Sequence, residues 1–322
     1  MRFDYMQRAW LRGALAAGAV LGGGRTVEGR EMDRVTAAFV RLACRVRGNG
    51  VRSLDEMRRF YEDGPGITGL RPDRSVHAEA LTIGGRPARR YHPPTAPIAD
   101  MLYFHGGGFI MGSLNTHDAL CRLLSARAGL RITSIDYRLA PEHPFPAAYD
   151  DACAAWEWAK AQGGRWVIAG DSAGGNLAAV QALDGVARLQ VLIYPAVDLL
   201  HEHGLYPSID AFQEGFILSA QMMQQCVDLF VPEGQDLADP RLSPIRGDLS
   251  RASPALVVAA GFDPLYDQGV AYAKALENAG VRTHLVDERG LPHGFADMGG
   301  VVPEARRAVE RLADEIRAEL AT

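Results

Sequence analysis

Gly170-Asp171-Ser172-Ala173-Gly174 fits G-x-S-x-G, a pattern that can present a serine hydroxyl on a sharp turn between a strand and a helix. By chance, a chain with this many glycines and serines holds roughly 0.1 such matches, so the context has to decide. The apolar run Trp166–Ala169 leads in as a strand, and Ala173–Leu183 leads out with helical character. Gly170 and Gly174 supply the small neighbours that a tight turn needs. The start of the following helix would aim its N–H groups at Ser172 and at any oxyanion formed there. The chemistry this context allows is nucleophilic attack by Ser172 on an acyl carbon.

A serine nucleophile needs a base, and the chain has nine histidines. His293 stands out because it lies in a loop, Gly290–Phe295, between the last strand-like run and the last helix. His284 falls inside a strand pattern and reads as a sheet-face residue. The orienting acid should lie between serine and histidine in chain order. Asp263 directly follows the run Ala255–Ala260; Asp267 is its competitor and reads as the cap of the next helix. Three glycines, Gly106, Gly107 and Gly108, follow the run Met101–Phe104 and let the backbone turn N–H groups into a cavity, with His105 bracing that loop. No lysine or G-x-G-x-x-G pattern accompanies these glycines to make a phosphate site. Glu142 and His143 sit in a proline-rich segment that reads as structural.

The elements that would hold these residues begin near Val76. Strand-like runs occur at Val76–Ile83, Arg89–His92, Met101–Phe104, Arg131–Ile135, Trp166–Ala169, Leu189–Tyr194, Ala255–Ala260 and Val281–Asp287. Helical patterns fall at Thr116–Ala128, Ala147–Ala161, Ala173–Leu183, Gln221–Phe230, Asp267–Ala279 and Glu304–Leu320, the last with a stripe of Ala305, Val309, Leu312, Ile316 and Leu320. This alternation predicts an α/β fold with a mostly parallel sheet and helices on both faces, its site at the carboxyl ends of the strands. Residues 199–244 interrupt the rhythm and are too long for a plain connection. Upstream, Glu31–Arg47 reads as an amphipathic helix with Val35, Ala38, Phe39, Leu42 and Val46 on one face. Ser53 and Glu56 form a capping box for another helix.

Composition narrows the function classes. The 322 residues are 48% hydrophobic and 23% charged with a net charge of −5, an ordinary globular balance that gives nucleic acid no basic patch to bind. The first 60 residues hold twelve arginines, no lysine and six acids, which reads as a solvated helical appendage rather than a membrane-attracting face. Gly13–Leu21 is apolar behind Arg8 and Arg12 but lacks a signal-peptide cleavage pattern and is too short to span a bilayer, so it reads as a surface helix. Cys44, Cys121, Cys153 and Cys226 are scattered, with no metal or redox spacing. They point to thiols in a reducing, cytoplasmic setting.

Taken together, the motifs resemble those of the bacterial hormone-sensitive-lipase-like esterase family. The pieces are HGGGF at 105–109, DYRLAPEHPFPAA at 136–148, GDSAGGN at 170–176, YPAVD at 194–198, DPRLSP at 239–244, GFDPL at 261–265 and HGF at 293–295. The resemblance implies an α/β-hydrolase fold with an eight-stranded sheet and a helical cap. It implies a catalytic domain at 71–322, with the cap formed by residues 1–70 and the insertion at about 199–244. It implies Ser172, Asp263 and His293 as the triad, Gly107, Gly108 and Ala173 as oxyanion-hole donors, and His105 and Gly106 as loop support. Hydrolysis of short- to medium-chain esters without metal or cofactor follows, as does pairing of copies through the edge strand Val281–Asp287 in some members. No nucleic-acid partner and no stable membrane insertion are implied. A lactonase, amidase or acyltransferase would use the same triad. A ligand receptor on this scaffold typically lacks the base histidine that this chain retains. Residues 178–190 and 161–165 are shorter than the family pattern. Phe109, Asp171, Phe216 and Ile217 are the pocket candidates.

Overall fold

The computed structural model describes residues 2–47, 53–201 and 204–321. The N-terminal part is α1 (Arg2–Gly22), a hairpin of β1 (Arg25–Val27) and β2 (Arg30–Met32), α2 (Arg34–Arg47) and α3 (Leu54–Ile67). The hairpin was not legible in the sequence. Its two-residue turn uses Glu28 and Gly29, both at positive φ (52° and 68°), and a glutamate is an uncommon occupant of that conformation. The hairpin also takes Glu31 and Met32 out of the helix expected from Glu31. Helix α2 starts after Asp33, whose Oδ1 accepts from the N–H groups of Val35 and Thr36 at 2.8 and 3.1 Å. The capping box opens α3 as expected: Ser53 accepts from Glu56 N–H, and Glu56 accepts from Ser53 N–H at 3.0 Å. Gly13–Leu21 lies in α1, with Leu15 and Ala19 buried.

The main sheet contains all eight anticipated strands: β3 (His77–Ile83), β4 (Arg86–His92), β5 (Ala99–Phe104), β6 (Leu130–Ile135), β7 (Trp166–Asp171), β8 (Leu189–Ile193), β9 (Ala255–Phe262) and β10 (Thr283–Pro292). Their order is β10-β9-β8-β7-β5-β6-β4-β3. β3 and β4 run antiparallel, and every other pairing except β4 with β6 is parallel. Short runs of β-branched and aromatic residues suit strands buried on both faces. Alternate residues face opposite layers. Leu102 and Phe104 join the core beneath α5 (Ala147–Ala161), α6 (Ala173–Gln181) and α9 (Tyr266–Asn278). Met101 and Tyr103 join the core beneath α4 (Asp118–Ala128) and α10 (Pro303–Ala321). The whole anticipated stripe of α10 is buried there. Leu11, Leu15, Ala38 and Phe39 belong to the same core, which ties the N-terminal helices to the sheet.

Between β8 and β9 the insertion carries α7 (Pro207–Ala211) and α8 (Ala220–Phe230). The short connection after α6 closes through a one-turn 3-10 helix and Gly185 at φ 73°. A Cβ at that glycine would run into the carbonyl oxygen of Arg251. The fold thus brings the carboxyl ends of β5, β7, β9 and β10 to one rim, where the loops expected to carry chemistry begin.

Candidate active site

Ser172 follows β7 at φ 53°, ψ −119°, a region that a residue with a Cβ rarely occupies and that is held here by its surroundings. Its N–H donates to Ile193 O at 2.9 Å, which fixes the turn to the next strand. Close approach demands the flanking glycines. A Cβ on Gly174 would collide with the carbonyl oxygens of Phe104 and His105, and one on Gly170 with the carbonyl of Gly174. The hydroxyl therefore projects from a turn packed against the end of β5.

Asp263 follows β9 and His293 follows β10, 30 residues apart in the chain. His293 Nδ1 lies 2.7 Å from Asp263 Oδ2, and His293 Nε2 lies 3.0 Å from Ser172 Oγ. Asp263 is fully buried, and its other oxygen accepts from Leu265 N–H at 2.8 Å. A carboxylate oxygen can only accept, so the Asp263 contact favours the tautomer with its proton on Nδ1, which leaves Nε2 to accept from the serine hydroxyl. The ring of Tyr194 packs beside His293 at 4.8 Å.

The loop after β5 comes alongside. Gly106 N–H donates to Asp171 Oδ1 at 2.8 Å, whereas the N–H groups of Gly107, Gly108 and Ala173 meet no acceptor among the described residues. His105 Nδ1 lies 2.8 Å from Gly106 O, its ring stacks on Tyr137 at 4.3 Å, and Tyr137 donates to His105 O at 2.7 Å. Burial pushes the His105 pKa down to about 4, so it is neutral. Gly107 and Gly108 lie at φ 122° and 61°. Side chains there would strike the carbonyl of Met111 and the thiol of Cys226, respectively.

These groups open into a cavity of about 570 Å³. Residues from three parts of the chain line it: Trp10 and Tyr61 from the N-terminal helices, Ser172 and His293 from the sheet rim, and Met223 and Phe230 from α8. The four pocket candidates Phe109, Asp171, Phe216 and Ile217 all belong to its wall.

The alpha/beta hydrolase fold model matches residues 101–297, the stretch that contains every one of these loops. The chain belongs to the α/β-hydrolase family. It is 37% identical over 290 residues to an ethyl acetate hydrolase of Pseudomonas putida, covering 83% of this chain and 90% of that protein. It is 40% identical over 295 residues to a carboxylic ester hydrolase of Mycobacterium tuberculosis, covering 84% and 76%. Among solved structures it resembles the hyperthermophilic esterase of Pyrobaculum calidifontis at a TM-score of 0.81 and 35% identity, covering 89% of this chain and 98% of that one.

Several residues of this α/β hydrolase sit elsewhere than the sequence indicates, or carry bonds it did not. Asp267 does not cap its own helix. Its carboxylate accepts from Ser208 N–H at 2.7 Å and so caps α7 of the insertion. His284 lies on β10 and pairs with Glu319 at 3.2 Å. Glu142 is structural, as expected: it pairs with Arg58 of α3 at 2.6 Å, and Arg58 also donates to the carbonyls of Ala140 and Ile110. Asn176 of α6 donates to Ala196 O and Leu242 O, both at 2.7 Å, which ties two further motifs to the serine turn.

His117, Tyr61 and Asp297 were missed. His117 is buried against Asp171 at 3.1 Å. Burial would lower its pKa, but the negative charges of Asp171 and Asp297 outweigh that and raise it to about 9. Asp171 responds in kind. Burial would raise its pKa, yet His117 and the hydroxyl of Tyr103 at 2.7 Å hold it below the usual carboxylate value. No motif spacing marks this pair, because its members come from α4's approach and the end of β7. Breaking a buried pair by removing one partner costs about 3 kcal/mol or more, so Asp171→Asn is expected to lower the denaturant midpoint accordingly. The part due to His117 is fully present below its ordinary pKa of 6.5 and is lost as pH rises through about 9. The gap between wild type and variant should therefore narrow as pH rises from 6.5 through about 9; a constant gap from pH 6 to 10 would discard the ion pair as its cause.

Proposed function

We propose that this α/β hydrolase is a carboxylesterase that hydrolyses short- to medium-chain esters through an acyl-enzyme on Ser172. The observation that carries the reading is the unbroken hydrogen-bonded chain from Ser172 Oγ through His293 to buried Asp263, at 3.0 and 2.7 Å. The relatives named as ester hydrolases agree with it. In this reading His293 Nε2 takes the serine proton as Oγ bonds to the ester carbon. Asp263 holds the tautomer and stabilises the imidazolium. The negative oxygen of the tetrahedral intermediate accepts from Gly107, Gly108 and Ala173, donors worth about 3–4 kcal/mol each. Collapse breaks the bond to the alkoxide, which leaves as alcohol with the proton from His293. Water then repeats the sequence on the acyl-enzyme, and Ser172 recovers its proton.

Residues 1–70 and about 199–244 act as the cap in this reading, supported by their shared lining of the cavity. The exposed edge of β10 is where a second copy would add; Arg30 of the hairpin reaches Gly261 O at 2.6 Å near its far end, which directs such pairing to 283–287. A cytoplasmic setting accords with four cysteines outside any disulfide. No helix among the described residues is long and apolar enough to cross a membrane.

The test is a nitrophenyl ester series from acetate to laurate. Turnover should be highest at short to medium chains and fall toward laurate as the acyl group outgrows the cavity. A folded enzyme inert toward every ester but active on lactones or amides would move the same triad to that bond instead.

A further inference from the structure

Asp297 ends the short turn four residues after His293 and lines the same cavity as Ser172 and His293. Its Oδ2 accepts from the Tyr61 hydroxyl of α3 at 3.3 Å, and its backbone carbonyl accepts from Thr68 Oγ1 at 3.1 Å. These two bonds from the N-terminal segment fix where the carboxylate points. Oδ1 has no protein partner among the described residues and is not sealed from solvent. The side chain is half-buried, so this oxygen is open to whatever fills the cavity.

The cavity wall is mostly apolar, with Phe39, Met57, Phe216, Leu218, Met222 and Phe230. Among the described residues no lysine or arginine contributes to it. Of the other two acids, Asp63 is at the exposed rim and Asp171 is engaged by Tyr103, Gly106 and His117. An acceptor held in an apolar wall favours a ligand that donates to it and penalises one that leaves it dry.

We propose that Asp297, positioned by Tyr61, is a specificity residue that accepts a hydrogen bond from a hydroxyl or protonated amine on the ester, so that donor-bearing esters are preferred over plain alkyl ones. The inference rests on the esterase reading and deepens it by naming the substrate class.

The experiment compares kcat/KM for nitrophenyl butyrate with its 3-hydroxy and 3-amino analogues, and for ethyl butyrate with 2-hydroxyethyl butyrate. These pairs place a donor on either side of the ester bond. Assays run at pH 8, where the Asp297 carboxyl, raised by burial to about 6, is ionised. In wild type at least one donor-bearing ester should exceed its plain partner by about 10- to 100-fold. Asp297→Leu should erase that advantage, while Asp297→Asn, which keeps an acceptor but no charge, should retain it for the hydroxyl and lose it for the amine. Tyr61→Phe, a milder change at the same contact, should shrink the advantage several-fold. Ratios between paired substrates are read, so a small displacement of His293 cancels. Equal treatment of every pair by wild type, or an undiminished advantage in both Asp297→Leu and Tyr61→Phe, overturns the proposal while leaving the esterase intact. A wild type inert toward all five esters overturns the esterase reading and the specificity with it.

Discussion

Ser172→Ala is expected to lower kcat/KM for a nitrophenyl ester by about 10⁵- to 10⁶-fold, the scale on which removing a triad nucleophile acts. The substitution deletes only Oγ. The turn keeps its dihedral angles because alanine carries the same Cβ and the fixing bond is Ser172 N–H to Ile193 O, a backbone contact. The His293–Asp263 contact at 2.7 Å does not involve the hydroxyl. The variant should therefore melt within a few degrees of wild type while its turnover falls to the level that the oxyanion donors and binding alone sustain. Full esterase activity in a folded Ser172→Ala protein would sink the nucleophile assignment. Activity lost together with the fold would sink the separation between catalysis and stability argued from the turn.

Asp263→Asn is expected to reduce kcat by about 10⁴-fold. The carboxylate holds the proton on Nδ1 by accepting it at 2.7 Å. An amide that turns its NH₂ toward the ring would favour the other tautomer, with the proton on Nε2, and that nitrogen could then no longer accept from Ser172. Leu265 N–H, which donates to the second oxygen at 2.8 Å, would hold the amide oxygen and so keep the NH₂ facing the histidine. Asp267→Asn is the matched control. It lies four residues along and binds the backbone of Ser208, so it should cost at most about 1–2 kcal/mol of stability as a weakened cap and leave kcat near wild type. A large kcat loss in Asp267→Asn with none in Asp263→Asn would transfer the acid's role to position 267.

Those two aspartates show where sequence reading worked and where it fell short. Asp263 was legible because its place depends on one local fact, that an apolar strand ends just before it. Asp267 reads as the cap of its own helix, but its carboxylate accepts from Ser208 N–H of the insertion instead. The helix-cap pattern is local, whereas its actual acceptor role is toward a segment 59 residues away. The same contrast holds for the histidines. His293 was marked by its loop between the last strand and last helix. His117 sits at an unexceptional helix start, and only the tertiary structure brings it to Asp171 at the end of β7.

By itself the sequence determined the eight strands, the main helices, the serine turn and the chain order of the three residues proposed as the triad. These depend on short-range physics: apolar runs that must be buried, glycines where no side chain fits, and a cap or turn set by neighbours a few residues apart. Only the tertiary structure decided which side chains from distant segments share one cavity. Tyr61 of α3 meets Asp297 beyond β10, Arg58 meets Glu142, and Met223 and Phe230 of the insertion line one pocket with Trp10 of α1. Such contacts follow from how whole layers settle against each other, and neither periodicity nor motif spacing encodes the approach of residues so far apart in the chain.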